Sequence, residues 1–266
     1  MSLLVTASLL AAGLYLLAAA LLARRLIGGP TGRGCAVLTA AGGVVCHAAT
    51  LGAIVTIGGG LGLGLYNAAS LTAWLMALIL IVSARRHAVT DLGLAVFPIA
   101  ALAILADALL TNTHAPAHPL AGRIEIHVVL AMLAHAVLGL AAAQAVLVAV
   151  QDHHLRHHRP GGFIRRLPAL QVMETIQFGL LRVGFALLTI GLITGAIFVD
   201  DLFAQHLVHK TVLSIAAWLV FGTLLWGHHR YGWRGRTATH GILAGFAVLA
   251  VGFFGSKIVL ELILQY

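Results

Sequence analysis

The segment Ile126–Val150, IHVVLAMLAHAVLGLAAAQAVLVAV, is apolar along its whole length except at His127, His135 and Gln144. About 20 predominantly apolar residues are enough to cross the hydrocarbon core of a bilayer, so this segment is long enough to span a membrane. An ionisable ring in hydrocarbon is costly unless it has a partner, which makes an intramembrane histidine a functional candidate. The segment therefore predicts a transmembrane helix that contributes to a site.

The rest of the chain has the same character. Of its 266 residues, 61% are hydrophobic and 9% are charged, whereas about 25% of the residues of a soluble domain are charged. We predict an all-α, polytopic bundle of eight transmembrane helices that forms a single transmembrane domain over residues 1–266. The seven other predicted spans are Leu3–Leu22, Ala36–Ile57, Ala68–Ala84, Leu92–Leu110, Gln177–Phe198, Thr211–Gly227 and Gly241–Leu264.

The net charge of +8 follows membrane topology. Arginines cluster after the first, third, fifth and seventh spans, and the alternate loops hold few cations. The positive-inside rule then puts both termini on the outer side of a bacterial inner membrane, and no nucleic-acid role is expected. The longest loop, Gln151–Thr175, has four histidines and four arginines. We interpret its start as a helical extension of the fifth span with a basic face toward anionic lipid; a metal site there is the alternative.

The intramembrane histidines differ in predicted depth. At 1.5 Å of rise per residue, His127 and His209 lie near the outer surface, His47 and His135 lie at a similar depth inside the bilayer, and His228 lies near the inner surface. Neutral imidazole is a common metal ligand and an axial ligand of haem. By depth, one haem iron could be bound by His127 with His209 or by His47 with His135. Binding by His47 with His228 would require a tilted haem or a shifted helix. The alternative for each ring is a hydrogen-bonded core histidine.

Several segments resemble the cytochrome c assembly (CcsA/CcmC-like) family, and most closely its YpjD/HemX-type branch of inner-membrane proteins. The resemblance runs from about residue 36 to residue 266. The segments that carry it are VCHA at Val45–Ala48, YNxxSL at Tyr66–Leu71, GFALLTIGLITGAIF at Gly184–Phe198, HKTVLSIAAWLVF at His209–Phe221, GWRGR at Gly232–Arg236 and GFFGS at Gly252–Ser256.

The resemblance implies a non-covalently held haem b between His47 and His228 as axial ligands, with His127 facing an outer site. The chain departs from the family pattern in two places. Residues Val199–Val208 contain no tryptophan, and the C-terminal tail lacks the family's second outer histidine, a place that His209 could take. Arg182 and Lys257 are candidate partners for the haem propionates, since a buried carboxylate needs a cation.

These features predict a haem-binding membrane protein that acts in cytochrome c assembly or haem handling, with other assembly or haem-biosynthesis proteins as partners. One alternative is a haem-free regulatory protein that docks to such a partner through its arginine-rich loops. Another is a transport accessory protein. No Ser-His-Asp, zinc-protease or phosphate-loop pattern is visible, so we predict no enzyme. The two cysteines, Cys35 and Cys46, form no CxxC or CxxCH motif.

Overall fold

A computed structural model describes most of the chain, and it confirms the helical fold class. The described residues are 2–30, 32–58, 64–84, 89–111, 122–157, 165–198 and 208–258. Within these ranges, eight helices are long and apolar enough to cross a membrane. They are α1 (Ser2–Leu26), α2 (Arg33–Gly58), α3 (Leu65–Ala84), α4 (Gly93–Leu110), α5 (Gly122–Arg156), α6 (Leu170–Phe198), α7 (Val208–Tyr231) and α8 (Arg236–Ala250).

The helices belong to two compact units. The first holds α1–α4 together with residues 165–168, and the second holds α5–α8. The orientation of the termini and the single transmembrane domain over residues 1–266 stay predictions.

The first unit is built on α1, which packs against both α2 and α4. Tyr15 is fully buried on α1 and stacks on Phe97 of α4 with ring centroids 6.0 Å apart. Gly43 of α2 lets that helix approach closely, because a Cβ there would lie 3.1 Å from the Tyr15 ring. Small residues permit such close approach between membrane helices.

Arginines join the helix ends of the first unit. Arg25, at the end of α1, forms a 3.1 Å ion pair with the buried carboxylate of Asp91, which lies in a short 3-10 turn before α4. Arg33, at the start of α2, donates to Thr90 Oγ1 and to the carbonyl of Ala84. Arg166 donates to the carbonyl of Arg25 at 2.6 Å. Some of the arginines expected on the cytoplasmic side therefore hold helix ends together.

In the second unit α5 packs against α6 and α8, and α7 packs against α6 and α8. Helix α5 has 35 residues and is about 50 Å long, so it exceeds the roughly 30 Å hydrocarbon core. Its last turns contain His153, His154 and Arg156, which confirms that the fifth span continues as a helix beyond the apolar segment. After α8, the chain forms one π-helical segment at Val251–Gly255.

Substitution of Gly184 tests the close contact between α5 and α6. A Cβ at this glycine would lie 2.6 Å from Cγ and Cδ2 of Leu138, which is fully buried. Because overpacking a filled interface costs about 1–3 kcal/mol, we expect Gly184→Ala to lower the melting temperature of the detergent-solubilised protein. Gly179→Ala is the matched control on the same helix, since nothing lies within 4 Å of its Cβ position. Equal melting temperatures for the two variants would contradict this packing.

Candidate functional site: the buried histidines

His47 is a fully buried ring in the first unit, and both of its nitrogens contact hydroxyl groups. Nε2 lies 2.9 Å from Ser70 Oγ of α3, and Nδ1 lies 3.3 Å from Tyr15 Oη of α1. The imidazole thus joins three helices by hydrogen bonds. For Nε2 to bind a metal, the contact with Ser70 must first break, whereas Tyr15 could continue to hold Nδ1.

His135 is a buried ring in the second unit, with 5% of its surface exposed. Nδ1 lies 2.7 Å from the carbonyl oxygen of Ala131, one turn earlier on α5. A carbonyl only accepts, so in the neutral ring the proton is on Nδ1 and the lone pair is on Nε2. Nε2 has no hydrogen-bond partner of ordinary geometry among the residues that the structure describes, although the Leu249 carbonyl lies toward the ring.

The π-helical segment after α8 supplies the neighbour of His135. The Phe253 ring packs against the imidazole with centroids 4.7 Å apart and planes at 46°. Each π-type turn inserts one extra residue and so rotates the residues that follow around the helix axis, and such turns are frequent at functional sites. Lys257 Nζ lies 6.0 Å from the centroid of the same Phe253 ring.

His127 lies half-buried near the start of α5, eight residues before His135. Its Nδ1 lies 3.2 Å from Thr194 Oγ1 on α6, and that hydroxyl points at the carbonyls of Ile190 and Gly191. When the hydroxyl proton is directed to one of these carbonyls, Oγ1 accepts from Nδ1–H of His127. The neutral ring then has its lone pair on Nε2, as in His135.

His228 lies near the end of α7, and like His135 it has its proton on Nδ1. Nδ1 lies 2.8 Å from the carbonyl oxygen of Trp233, so Nδ1 is the protonated nitrogen of the neutral ring. The ring stacks on Phe178 of α6 with centroids 3.6 Å apart and planes at 17°. Nε2 makes no hydrogen bond to the described part of the chain.

The remaining predicted site residues are less enclosed. His209 is exposed at the start of α7. Arg182 is exposed on α6 and donates from Nε to the carbonyl of Phe178. Among the described residues, no group of three or more His, Cys, Asp or Glu side chains could hold a metal ion.

Taken together, His47 belongs to the first unit, and His127, His135, His209 and His228 belong to the second. On α5, His127 and His135 are about 12 Å apart along the helix axis, so they are two separate positions. The pairings of the histidines and the propionate roles of Arg182 and Lys257 stay predictions.

The sequence did not reveal which groups touch these rings. Tyr15, Ser70 and Thr194 contact histidines that are 23 to 67 residues away in the chain. Their residue types gave no signal, because a hydroxyl in an apolar helix usually bonds to its own backbone. The resemblance motifs did mark the right regions: YNxxSL contains Ser70, the 184–198 segment contains Thr194, and GWRG and GFFGS contain the aromatic neighbours of His228 and His135.

Comparison with known proteins supports the resemblance seen in the motifs. Residues 36–264 match the family model described as Cytochrome C assembly protein. The chain is 33% identical over 233 residues to "Inner membrane protein YpjD" of Escherichia coli K12, covering 86% of this chain and 87% of that protein.

Two other relatives match over shorter regions. An "Uncharacterized 28.8 kDa protein in nifR3-like 5'region" of Azospirillum brasilense is 32% identical over 143 residues, which is 53% of each chain. A "Cytochrome c biogenesis protein CcsA" of Trichodesmium erythraeum is 33% identical over 92 residues, 34% of this chain and 26% of that protein. No solved structure gives a significant match.

The contacts of His47 predict a measurable contribution to stability. Tyr15→Phe removes the hydroxyl beside Nδ1 and keeps the ring that packs on Phe97, so we expect a loss of about 1 kcal/mol and a lower melting temperature. The control is Tyr66→Phe on α3, because the Tyr66 phenol makes no hydrogen bond to the residues that the structure describes. If Tyr15→Phe melts at the wild-type temperature, the hydrogen bond to His47 does not stabilise the first unit.

Proposed function

Because the chain belongs to the cytochrome c assembly protein family, we propose that it binds haem b non-covalently, with histidines of different helices as axial ligands to the iron. It is a multi-pass inner-membrane protein with eight apolar helices. One relative in the same family is named for cytochrome c biogenesis. Bound haem would supply a redox-active iron or be the cargo in assembly of a cytochrome.

The observation that carries the proposal is the buried Nε2 of His135, which has no hydrogen-bond partner of ordinary geometry in the described part of the chain. A buried polar atom without a hydrogen bond costs about 1–3 kcal/mol, so its retention calls for a reason. Metal-ligating histidines usually donate their other N–H to a carbonyl or carboxylate, which fixes the tautomer and the ring orientation. His135 has this arrangement, since its Nδ1 lies against the Ala131 carbonyl.

Three histidines of the second unit have the proton arrangement that suits an iron ligand. His127 and His228 also hold Nδ1 against an oxygen acceptor and so leave Nε2 with the lone pair. The phenyl rings of Phe253 and Phe178 pack against His135 and His228. These residues can present neutral imidazole, and burial of His135 keeps water from its ring, which is what the chain itself must contribute.

The pair implied by the resemblance, His47 with His228, joins residues of different units and stays a prediction, but the state of each ring within its own unit can be compared. His228 already has a free Nε2, but Nε2 of His47 is engaged by Ser70. His47 can ligate iron when the Ser70 hydroxyl rotates away and the Nδ1–H of the ring donates to Tyr15 Oη. His135, which the sequence places at the depth of His47, needs no such exchange.

The hydrogen bonds of His47 to Ser70 and Tyr15 favour the alternative function, a regulatory protein that binds no haem. A ring with hydroxyl groups at both nitrogens has the environment of a structural core histidine. On that reading, the histidines hold helices together and the docking surface lies on the arginine-rich side. The purified protein would then show no saturable haem binding at all.

Haem titration of the full-length, haem-free protein in detergent tests the role of His135. We expect His135→Ala to weaken haem binding by about tenfold or more, since an axial ligand is lost. His154→Ala is the matched control, because His154 is also on α5 with Nδ1 against the carbonyl four residues earlier. The absorbance of the haem during titration gives both the affinity and the ligation state.

A rescue experiment separates ligation from folding. His135→Gly should regain the wild-type spectrum when free imidazole is added, because imidazole can occupy the space of the missing ring. Equal haem affinity in His135→Ala, His154→Ala and the wild type would contradict the proposed ligand.

A further inference from the structure

We propose that the GWRG turn after α7 is a positioning device for His228: Trp233 fixes the tautomer of the ring, and Gly227 makes room for Trp233. The inference rests on the proposed function, in which Nε2 of His228 is a haem ligand. It assigns a role to residues other than the proposed ligand.

The first element of the device is the turn itself. Helix α7 ends at Tyr231, and Gly232 follows with φ of +67°, a left-handed conformation that favours glycine. The Gly232 N–H donates to the carbonyl of His228 at 3.1 Å, and the Trp233 N–H donates to the carbonyl of Gly227 at 3.3 Å. The chain therefore folds back over the last turn of its own helix.

The second element is the space above Gly227, which is buried. A Cβ on Gly227 would overlap three atoms of the Trp233 indole. The indole lies directly on the helix backbone at this glycine, and no other residue type would admit it. This contact fixes the Trp233 backbone next to His228.

The third element is the hydrogen bond that results. The Trp233 carbonyl lies 2.8 Å from Nδ1 of His228, while Phe178 covers a face of the ring. Phe178 sets the plane of the ring, and the hydrogen bond keeps the proton on Nδ1. The lone pair on Nε2 is therefore held in a fixed direction. An outer partner of this kind changes metal affinity by about 10–100-fold when it is lost.

The test is the tautomer of His228 in the haem-free, full-length protein, measured by ¹⁵N NMR with labelled histidine. The His228→Gln spectrum identifies the signals of this ring. We expect the wild type to show Nδ1 protonated and Nε2 unprotonated in a single tautomer. Gly227→Ala should displace Trp233 and give a mixture of tautomers. Gly222→Ala is the control on the same helix, since its Cβ would make only ordinary 3.5 Å contacts with Phe185.

Gly232→Ala is the second variant if Gly227→Ala does not fold, because alanine is strained at a φ of +67°. An Nε2-protonated or averaged wild-type ring would overturn the inference, as would an unchanged tautomer in the folded glycine variant.

A haem titration of the same variants distinguishes this inference from the proposed function. We expect about tenfold weaker haem binding in Gly227→Ala than in Gly222→Ala. If the wild type has the expected tautomer but binds no haem, the proposed function fails while the positioning of His228 by Trp233 remains.

Discussion

The structure depends on one constraint: a polar nitrogen inside an apolar helix bundle needs a partner, because no water is available to it. Backbone groups meet this requirement by forming helices. A histidine ring carries two nitrogens, and a carbonyl of its own helix can bond to only one of them. The other nitrogen needs a partner from elsewhere. The identity of the second partner therefore distinguishes a structural histidine from a ligand.

The two units meet this constraint in different ways. In the first unit, hydroxyl groups from α1 and α3 contact both nitrogens of His47, and the ring joins three helices. In the second unit, His135 binds its own helix through Nδ1 and has no partner for Nε2 among the described residues. The ring is enclosed, with 5% of its surface exposed and Phe253 packed against it. The second unit is thus where we place the proposed iron ligand.

The eight helices were predictable because hydrophobicity and length alone specify a membrane span. The candidate histidines were predictable for the same reason, as rare polar rings in apolar segments. Their partners were not, because Ser70 and Tyr15 reach His47 from other helices, and helix rotation cannot be deduced from nearly uniform apolar sequences. The π-helical turn that places Phe253 against His135 has no clear sequence signal either. The GFFGS motif indicated only that the region matters.

The most direct test of the central claim is the visible absorption spectrum of the detergent-purified wild-type protein from haem-replete cells, recorded oxidised and then after reduction. The account predicts a Soret band, with sharp α and β bands on reduction, because two imidazole ligands give a low-spin iron. A folded, colourless protein that also fails to take up added haem would contradict it.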